Sequence, residues 1–337
     1  MRLVATSLAL VMVATAAMLA AQPGDVDKVL AEARRALGGE KKLAAVKTFA
    51  ATGLSTRVVG EQSTAPADAE VAIELPDKFM KKDVLATLGT MTITRTSGFN
   101  SDAVINIVDQ PPSTGGNVVV FKFSSGGAPG EVLTTEQKEA AQKAQLVAAK
   151  QDFARLALGF LVSSPVAYPL QFAYRGQAES PDGKADVVDV TGDGGFAARL
   201  FIDTTTHLPL MLSWMAKEPL VISQTVGGGG AGRAAAGTHA SGGGGVAVGS
   251  VQVEGGKPLT PEDRDKLMKQ LDEQRKELEA KRRTVEYRLY YGDYRDVDGI
   301  KVPFKLQRSI DGKPTEELTF EKVRINGKID AKTFNVK

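Results

Sequence analysis

The chain has 337 residues, a formal net charge of +2 and no cysteine. The lack of cysteine excludes disulfides, thiolate catalysis and cysteine-ligated metal sites, so the hydrophobic core must hold the fold together. A net charge this close to zero does not indicate nucleic acid as a partner.

Residues 1–21 have the pattern of a secretory signal peptide. Arg2 supplies a positive charge, and the apolar run LVATSLALVMVATAAMLAA that follows ends in small residues. This run is close to the minimum of about 17 residues for spanning a membrane and is rich in alanine, which favours cleavage. We therefore expect a periplasmic protein whose mature chain starts near residue 22; an uncleaved membrane anchor is the alternative.

Two helices are predicted next. Apolar residues recur at helical spacing at Val26, Val29, Leu30, Ala33 and Leu37. Asp25 can cap this helix and Gly38-Gly39 can end it, and a short second helix is expected over residues 40–46. Segments with strand-like alternation of apolar and polar residues follow, separated by Gly, Pro and Asn.

One long helix interrupts the strands, predicted over residues 135–161. Thr134 or Thr135 can cap it, and Glu and Gln occupy its first turn. Its apolar stripe broadens toward the C-terminal end and contains Leu146, Ala149, Phe153, Leu156, Phe160 and Leu161. This is the pattern of a helix that buries one face.

Strands resume after this helix and continue to the C-terminus. Asp298-Gly299 and Asp311-Gly312 stand between alternating segments, which predicts tight hairpins with type I′ turns. On the strand between them, the apolar residues Ile300, Val302, Phe304 and Leu306 alternate with polar ones. The sheet is therefore expected to have one apolar and one polar face.

Two segments depart from this pattern. Residues 227–258 contain a glycine-rich run of low complexity, which predicts a disordered loop. Residues 259–283 predict a charged helix with Pro261 at its first position and a narrow apolar stripe. A solvated insertion on a β-hairpin is the simpler interpretation of this helix, and a partner-binding arm is the alternative.

Few residues are available for catalysis. The two histidines, His207 and His239, lie in a turn and in the glycine-rich loop, without partners for a metal site or a triad. The acidic residues Asp293, Asp296 and Asp298 lack the spacing of a calcium loop. We therefore expect a non-catalytic protein without cofactor or metal; an envelope hydrolase that uses carboxylates is an alternative.

The segment LPLMLSWM, residues 208–215, is apolar on both faces, which suits a strand covered on both sides. Its residues Leu210, Leu212 and Trp214 alternate, and the long helix contributes Phe153 and Phe160. These five residues are the candidates for lining a ligand cavity beneath the helix. Ordinary core packing would produce the same pattern, so both interpretations remain open.

The order of elements, together with LPDKF at 75–79, LFID with LPL at 200–210 and DYRDVDGIKVPFK at 293–305, resembles the outer-membrane lipoprotein-sorting family, the LolA/LolB-like periplasmic carriers. The resemblance implies an α+β fold in which a curved antiparallel sheet, an incomplete β-barrel, is covered on its concave face by a long helix. It implies one such domain over residues 22–337, interrupted by the insertion. No residue aligns with the family's cavity arginine, although Arg57 and Arg95 lie in early strands.

By this resemblance, the protein is expected to bind an apolar ligand, either a lipid or the acyl chain of a lipid-modified protein. Transient contact with the membrane or with envelope proteins would accompany a carrier role. An envelope scaffold without a ligand is the alternative from a different class. An apolar patch on the charged helix would favour the scaffold.

Overall fold

The computed structural model describes residues 23–59, 62–88, 91–109, 134–180, 183–218 and 276–335, and in addition 221–222, 225–226, 248–249, 252–253, 262, 266, 269 and 273. The predicted signal peptide and most of the predicted glycine-rich loop lie outside these residues. Within the part that is described, no helix is both long and apolar enough to cross a membrane.

The helices are α1 (Pro23–Leu37), α2 (Glu40–Ala44) and α3 (Thr135–Leu158). The long strands are β1 (Thr48–Val59), β2 (Ala67–Glu74), β3 (Lys78–Leu88), β4 (Met91–Asn100), β5 (Ala103–Asp109), β6 (Leu170–Ser180), β7 (Gly183–Gly192), β8 (Phe196–Asp203), β9 (Pro209–Lys217), β10 (Thr284–Val297), β11 (Ile300–Ile310) and β12 (Lys313–Ile325). Two short 3₁₀ helices cover Asp193–Gly195 and Ala331–Phe334.

These twelve strands form one antiparallel sheet in the order β5-β4-β3-β2-β1-β12-β11-β10-β9-β8-β7-β6. Neighbours in the chain are therefore neighbours in the sheet, except that β1 pairs with β12 and that β5 and β6 are the two edges. The chain passes from one edge to the other through α3. The predicted fold class, a curved and unclosed antiparallel sheet with a long covering helix, is confirmed.

The predicted hairpins have the backbone that a type I′ turn requires. The φ angles are 56° at Asp298 and 77° at Gly299, and 46° at Asp311 and 76° at Gly312. Positive φ at both central residues matches the twist of the flanking strands, and glycine adopts it without strain. The two turns thus fix the register of β10, β11 and β12.

Helix α3 begins as its sequence predicts. The Thr134 hydroxyl accepts a hydrogen bond from the Gln137 backbone N–H, while the Gln137 side chain accepts one from the Thr134 N–H. This capping box satisfies two backbone donors that have no partner within the helix. The regular helix ends at Leu158 rather than at residue 161.

Two helices share the apolar face of the sheet. Helix α3 packs against β4 and β5, whereas α1 packs against β6 and β11. From α1 the residues Val29, Leu30, Ala33 and Leu37 enter the same core cluster as the buried end of α3. The N-terminal helix therefore covers surface that a single helix, about 10 Å wide, would leave exposed.

The insertion leaves the sheet between β9 and β10, and polar contacts hold its base. The Glu218 carboxylate pairs with Arg283, and the Arg282 Nε donates to the Glu218 carbonyl. Within the predicted loop, Val248–Gly249 and Gln252–Val253 form two short parallel pairings with Val221–Ile222 and Thr225–Val226. In the predicted charged helix, residues 276–281 are helical.

Candidate functional site

One part of the concave face is an aromatic cluster, which consists of Phe49, Phe79, Phe99, Phe153, Phe160 and Phe320. The Phe49 and Phe160 rings are stacked with centroids 4.8 Å apart. Phe153 of α3 lies 5.7 Å from both Phe79 and Phe99. Strands β3 and β4 thus meet α3 through ring contacts, which are favourable beyond the area that they bury. Phe49 of β1 connects Phe160, just after α3, with Phe320 of β12.

Helix α3 lies across the opening between the two halves of the sheet. On one side the Lys150 Nζ lies 3.2 Å from an Asp102 carboxylate oxygen, in the turn after β4. On the other side the Gln151 amide donates to the Gly194 carbonyl, in the turn between β7 and β8, over 3.2 Å. The helix therefore touches both halves through polar links near the surface. A further polar link is buried, since the Tyr291 hydroxyl of β10 donates to the Arg155 carbonyl over 2.5 Å.

Four of the five predicted lining residues are together in the core. Leu212 and Trp214 of β9 and Phe153 and Phe160 are buried in one cluster. Leu210 is not with them and is 41% exposed. A bulge between Pro209 and Met211 shifts the register of β9 against β8, so Leu210 does not share the face of Leu212.

A second part of the concave face is a charged cluster, formed by Arg57, Lys81, Asp83, Arg308 and Glu316. Arg57 of β1 pairs with Asp83 of β3, across β2. Lys81 of β3 reaches Glu316 of β12, with 3.0 Å between Nζ and Oε1. Small residues on the strands in between, Ser55 on β1 and Ala69 on β2, leave room for these long side chains to cross.

Glu316 is at the centre of this cluster. Its Oε1 also accepts a hydrogen bond of 3.2 Å from Ser55, and its Oε2 lies 3.5 Å from the Arg308 Nε. Burial raises the pKa of Glu316, but the charges of Lys81 and Arg308 outweigh burial and lower it to about 2. The carboxylate is therefore ionised throughout the physiological pH range.

Arg155 of α3 lies between the charged cluster and Trp214. Its guanidinium carbon is 4.6 Å from the Trp214 ring centroid and 5.3 Å from that of Phe196. Burial lowers the pKa of Arg155, and the neighbouring charge of Arg308 lowers it further. Among the described residues, the buried Arg155 Nε–H has no hydrogen-bond partner.

A cavity of about 610 Å³ opens elsewhere, where β11 and β12 separate. It is lined by Ala50, Ala51, Thr52, Glu70, Phe304, Glu321, Lys322, Val323 and Arg324. This lining is mixed in polarity and includes none of the predicted lining residues. Among the residues that the structure describes, no group of acidic and histidine side chains could hold a metal ion.

Of the charged cluster, only Arg57 was named from the sequence. The sequence does contain a signal for the others. Lys81 and Asp83 are two and four residues from Phe79, and Glu316 is two residues from Leu318, so each charge lies on the same strand face as an apolar residue. Charges at inward positions of a strand are costly unless they are paired. A search for polar residues at positions where the strand pattern requires apolar ones would have found them.

This architecture places the chain in the class of proteins whose fold is an incomplete antiparallel barrel closed by helices. No protein-family model matches the sequence, and no curated protein matches it. The solved structures that are similar to this chain include three with identities of 8–9%. Two of them have names that belong to the lipoprotein-sorting family that the sequence resembles.

The first is a putative outer membrane lipoprotein-sorting protein domain from Vibrio parahaemolyticus, with 9% identity and a TM-score of 0.40, covering 93% of this chain and 97% of that one. A DUF1329 family protein from Desulfovibrio piger has 9% identity, a TM-score of 0.39 and coverage of 92% and 96%. A LolA superfamily protein from Nitrosomonas europaea has 8% identity, a TM-score of 0.39 and coverage of 92% and 97%. At these scores the similarity identifies no ligand for this chain.

Proposed function

We propose that the protein is an exported, periplasmic carrier-like protein that binds an apolar ligand on the concave face of its sheet and catalyses no reaction. The ligand class is a lipid or the acyl chain of a lipid-modified protein. The observation that carries the proposal is an apolar concave face whose two edge strands, β5 and β6, are joined by a helix instead of by strand pairing. A helix in this position can be displaced without breaking the sheet.

The manner in which α3 is held supports this mechanism. Its C-terminal half is buried through apolar side chains such as Phe153 and Leu156, while residues 134–140 are exposed. Its link to Asp102 is a surface ion pair, which contributes only about 0–1 kcal/mol. Because apolar contacts are not directional, a ligand chain can replace those of the helix, whereas the buried hydrogen bond from Tyr291 to the Arg155 carbonyl has to break when α3 moves.

Phe153 and Phe160 therefore have different positions in the empty and the ligand-bound protein. They fill the concave face when no ligand is bound, and they leave it to the ligand chain when α3 and the turn that follows it move. Leu212 and Trp214, which belong to the sheet, stay in place and contact the ligand. The closed state protects the apolar surface from water, which a carrier requires while it is empty.

An engineered disulfide between α3 and the sheet tests this proposal. A Cβ built on Gly194 lies 3.7 Å from the Val147 Cβ, within the range of about 3.5–4.5 Å that disulfides need. The double variant Val147→Cys, Gly194→Cys adds the only cysteines of the chain. The measurement is a titration with a long-chain fatty acid, followed by the fluorescence of Trp214, the single tryptophan.

The reduced variant should bind the fatty acid as the wild type does, and the oxidised variant should bind at least about tenfold more weakly, since the locked helix cannot leave. Reductant should restore binding, and it should have no effect on the wild type, which lacks cysteine. Equal binding by both redox forms would contradict displacement of α3. No binding by any form, including the wild type, would overturn the carrier proposal.

Export has a separate test. The protein purified from the periplasmic fraction should have a mature N-terminus near residue 22. Chain that retains Met1 in the membrane fraction would contradict cleavage.

A further inference from the structure

The charged cluster carries more positive than negative charge. Arg155 and Asp152 of α3, which pair with each other and act on Arg308, add one charge of each sign beside the cluster. Within the cluster, Arg57, Lys81 and Arg308 face two carboxylates, Asp83 and Glu316. All five side chains are on the same face of the sheet as the apolar core. An excess cation that is partly removed from water is unfavourable unless an anion approaches it.

Arg308 is the cation with the least satisfied hydrogen-bonding capacity. Its Nε lies 3.5 Å from Glu316, which is long for a hydrogen bond, and that carboxylate is shared with Lys81 and Ser55. Among the described residues, the two terminal amino groups of Arg308 have no hydrogen-bond partner, and the side chain is 33% exposed. A guanidinium with both terminal groups available presents the fork that binds a carboxylate or phosphate with two hydrogen bonds.

The cluster also lies next to the apolar surface. On the concave face, Arg308 is opposite Leu289 of β10 and two residues from Leu306, which in turn is opposite Leu318. All three leucines are buried members of the core. A ligand whose anionic end binds Arg308 would therefore place an attached apolar chain directly on these residues.

We infer that the charged cluster recognises the anionic headgroup of an amphiphilic ligand, a carboxylate or a phosphate, whose chain takes the apolar concave face. The inference rests on the proposed function and specifies its ligand class. Arg308 makes the bidentate contact, and Arg57 and Lys81 add positive charge. Asp83 and Glu316 hold these cations in place before the ligand arrives, which reduces the cost of ordering them on binding.

A headgroup series tests the inference on the wild-type protein. A long-chain fatty acid, the alkyl phosphate, the alcohol and the amine of the same chain length are titrated, and the fluorescence of Trp214 is followed. Both anions, or one of them, should bind about tenfold to a hundredfold more tightly than the alcohol, and the amine should bind most weakly. The tighter anion identifies the headgroup as carboxylate or phosphate.

The variant Arg308→Gln should remove this preference, so that the acid, the phosphate and the alcohol bind with similar affinity. The matched control is Arg199→Gln, which deletes a guanidinium of the exposed outer face that pairs with Asp189; it should keep the preference. If Arg308→Gln does not fold, the headgroup series on the wild-type protein is sufficient to test the inference. Alcohol binding as tight as that of both anions would overturn the inference and leave the proposed function intact, whereas no binding of any amphiphile would overturn both.

Discussion

The aromatic cluster and the charged cluster occupy two parts of the same concave face, and they contribute differently to the protein. Phe49 and Phe153 are almost fully buried among other rings, a kind of packing that stabilises folds strongly. The ion pairs of Glu316 and Asp83 replace hydration with charge contacts, which adds little net stability. The comparison indicates that one part of the face holds the fold together and that the other, which adds little stability, is available for the recognition proposed above.

The largest effect is expected from Phe153→Ala. The change removes a ring that contacts Phe79 and Phe99 and leaves a cavity beneath α3. Urea denaturation should show a loss of about 3–5 kcal/mol in the free energy of unfolding. Met215→Ala, at an exposed position on β9, is the control and should change it by less than about 0.5 kcal/mol. If the two variants lose equal free energy of unfolding, the aromatic cluster does not hold the fold together more than the exposed surface does.

A smaller effect is expected from Glu316→Gln, which deprives Lys81 and Arg308 of their shared carboxylate. Because the pKa of Glu316 is lowered from 4.5 to about 2 on folding, its contribution is complete above pH 4.5 and is lost as pH falls toward 2. At neutral pH the variant should be less stable than the wild type by on the order of 1–3 kcal/mol.

The pH dependence checks the cause of that difference. Denaturation of both proteins between neutral pH and pH 2 should show the gap closing as the wild-type carboxylate becomes protonated. A gap that stays constant down to pH 2 would mean that the charge of Glu316 is not responsible.

The double variant Arg57→Met, Asp83→Leu should have a still smaller effect. Each single change removes one member of a buried ion pair and should cost about 1–3 kcal/mol. The free energy of unfolding of the double variant should lie within about 1 kcal/mol of that of the wild type. The measurement is a double-mutant cycle by urea denaturation. If the double variant loses as much free energy of unfolding as the two single variants together, this ion pair stabilises the fold as the aromatic rings do.

The smallest effect is expected from Arg155→Met. Loss of the contact with Trp214 and of the ion pair with the half-exposed Asp152 is offset by removal of a buried Nε–H that has no partner among the described residues. Stability should therefore change by less than about 1 kcal/mol. The Trp214 emission should nevertheless shift, because a charge 4.6 Å from its ring centroid is gone. An unchanged spectrum would place Arg155 away from the ring in solution.

The local elements follow from short-range patterns in the sequence. Asp298-Gly299 and Asp311-Gly312 determined two hairpins because type I′ turns need positive φ, and Thr134 with Gln137 determined where α3 begins. Alternation along β11 identified the apolar face, and the order of elements indicated an incomplete barrel. These features depend on residues close together in the chain, which is why they could be read from it.

Which residues meet on the concave face depends instead on long-range strand pairing. The pairing of β1 with β12 brings Arg57, Lys81 and Asp83 to Arg308 and Glu316, which are more than two hundred positions away in the chain, and no local pattern encodes that pairing. The same holds for the bulge that separates Leu210 from Leu212 and for α1, which shares the apolar face with α3. The physical reason is that the long-range pairing and packing of elements determine which groups are buried together, whereas local propensity determines only the elements themselves.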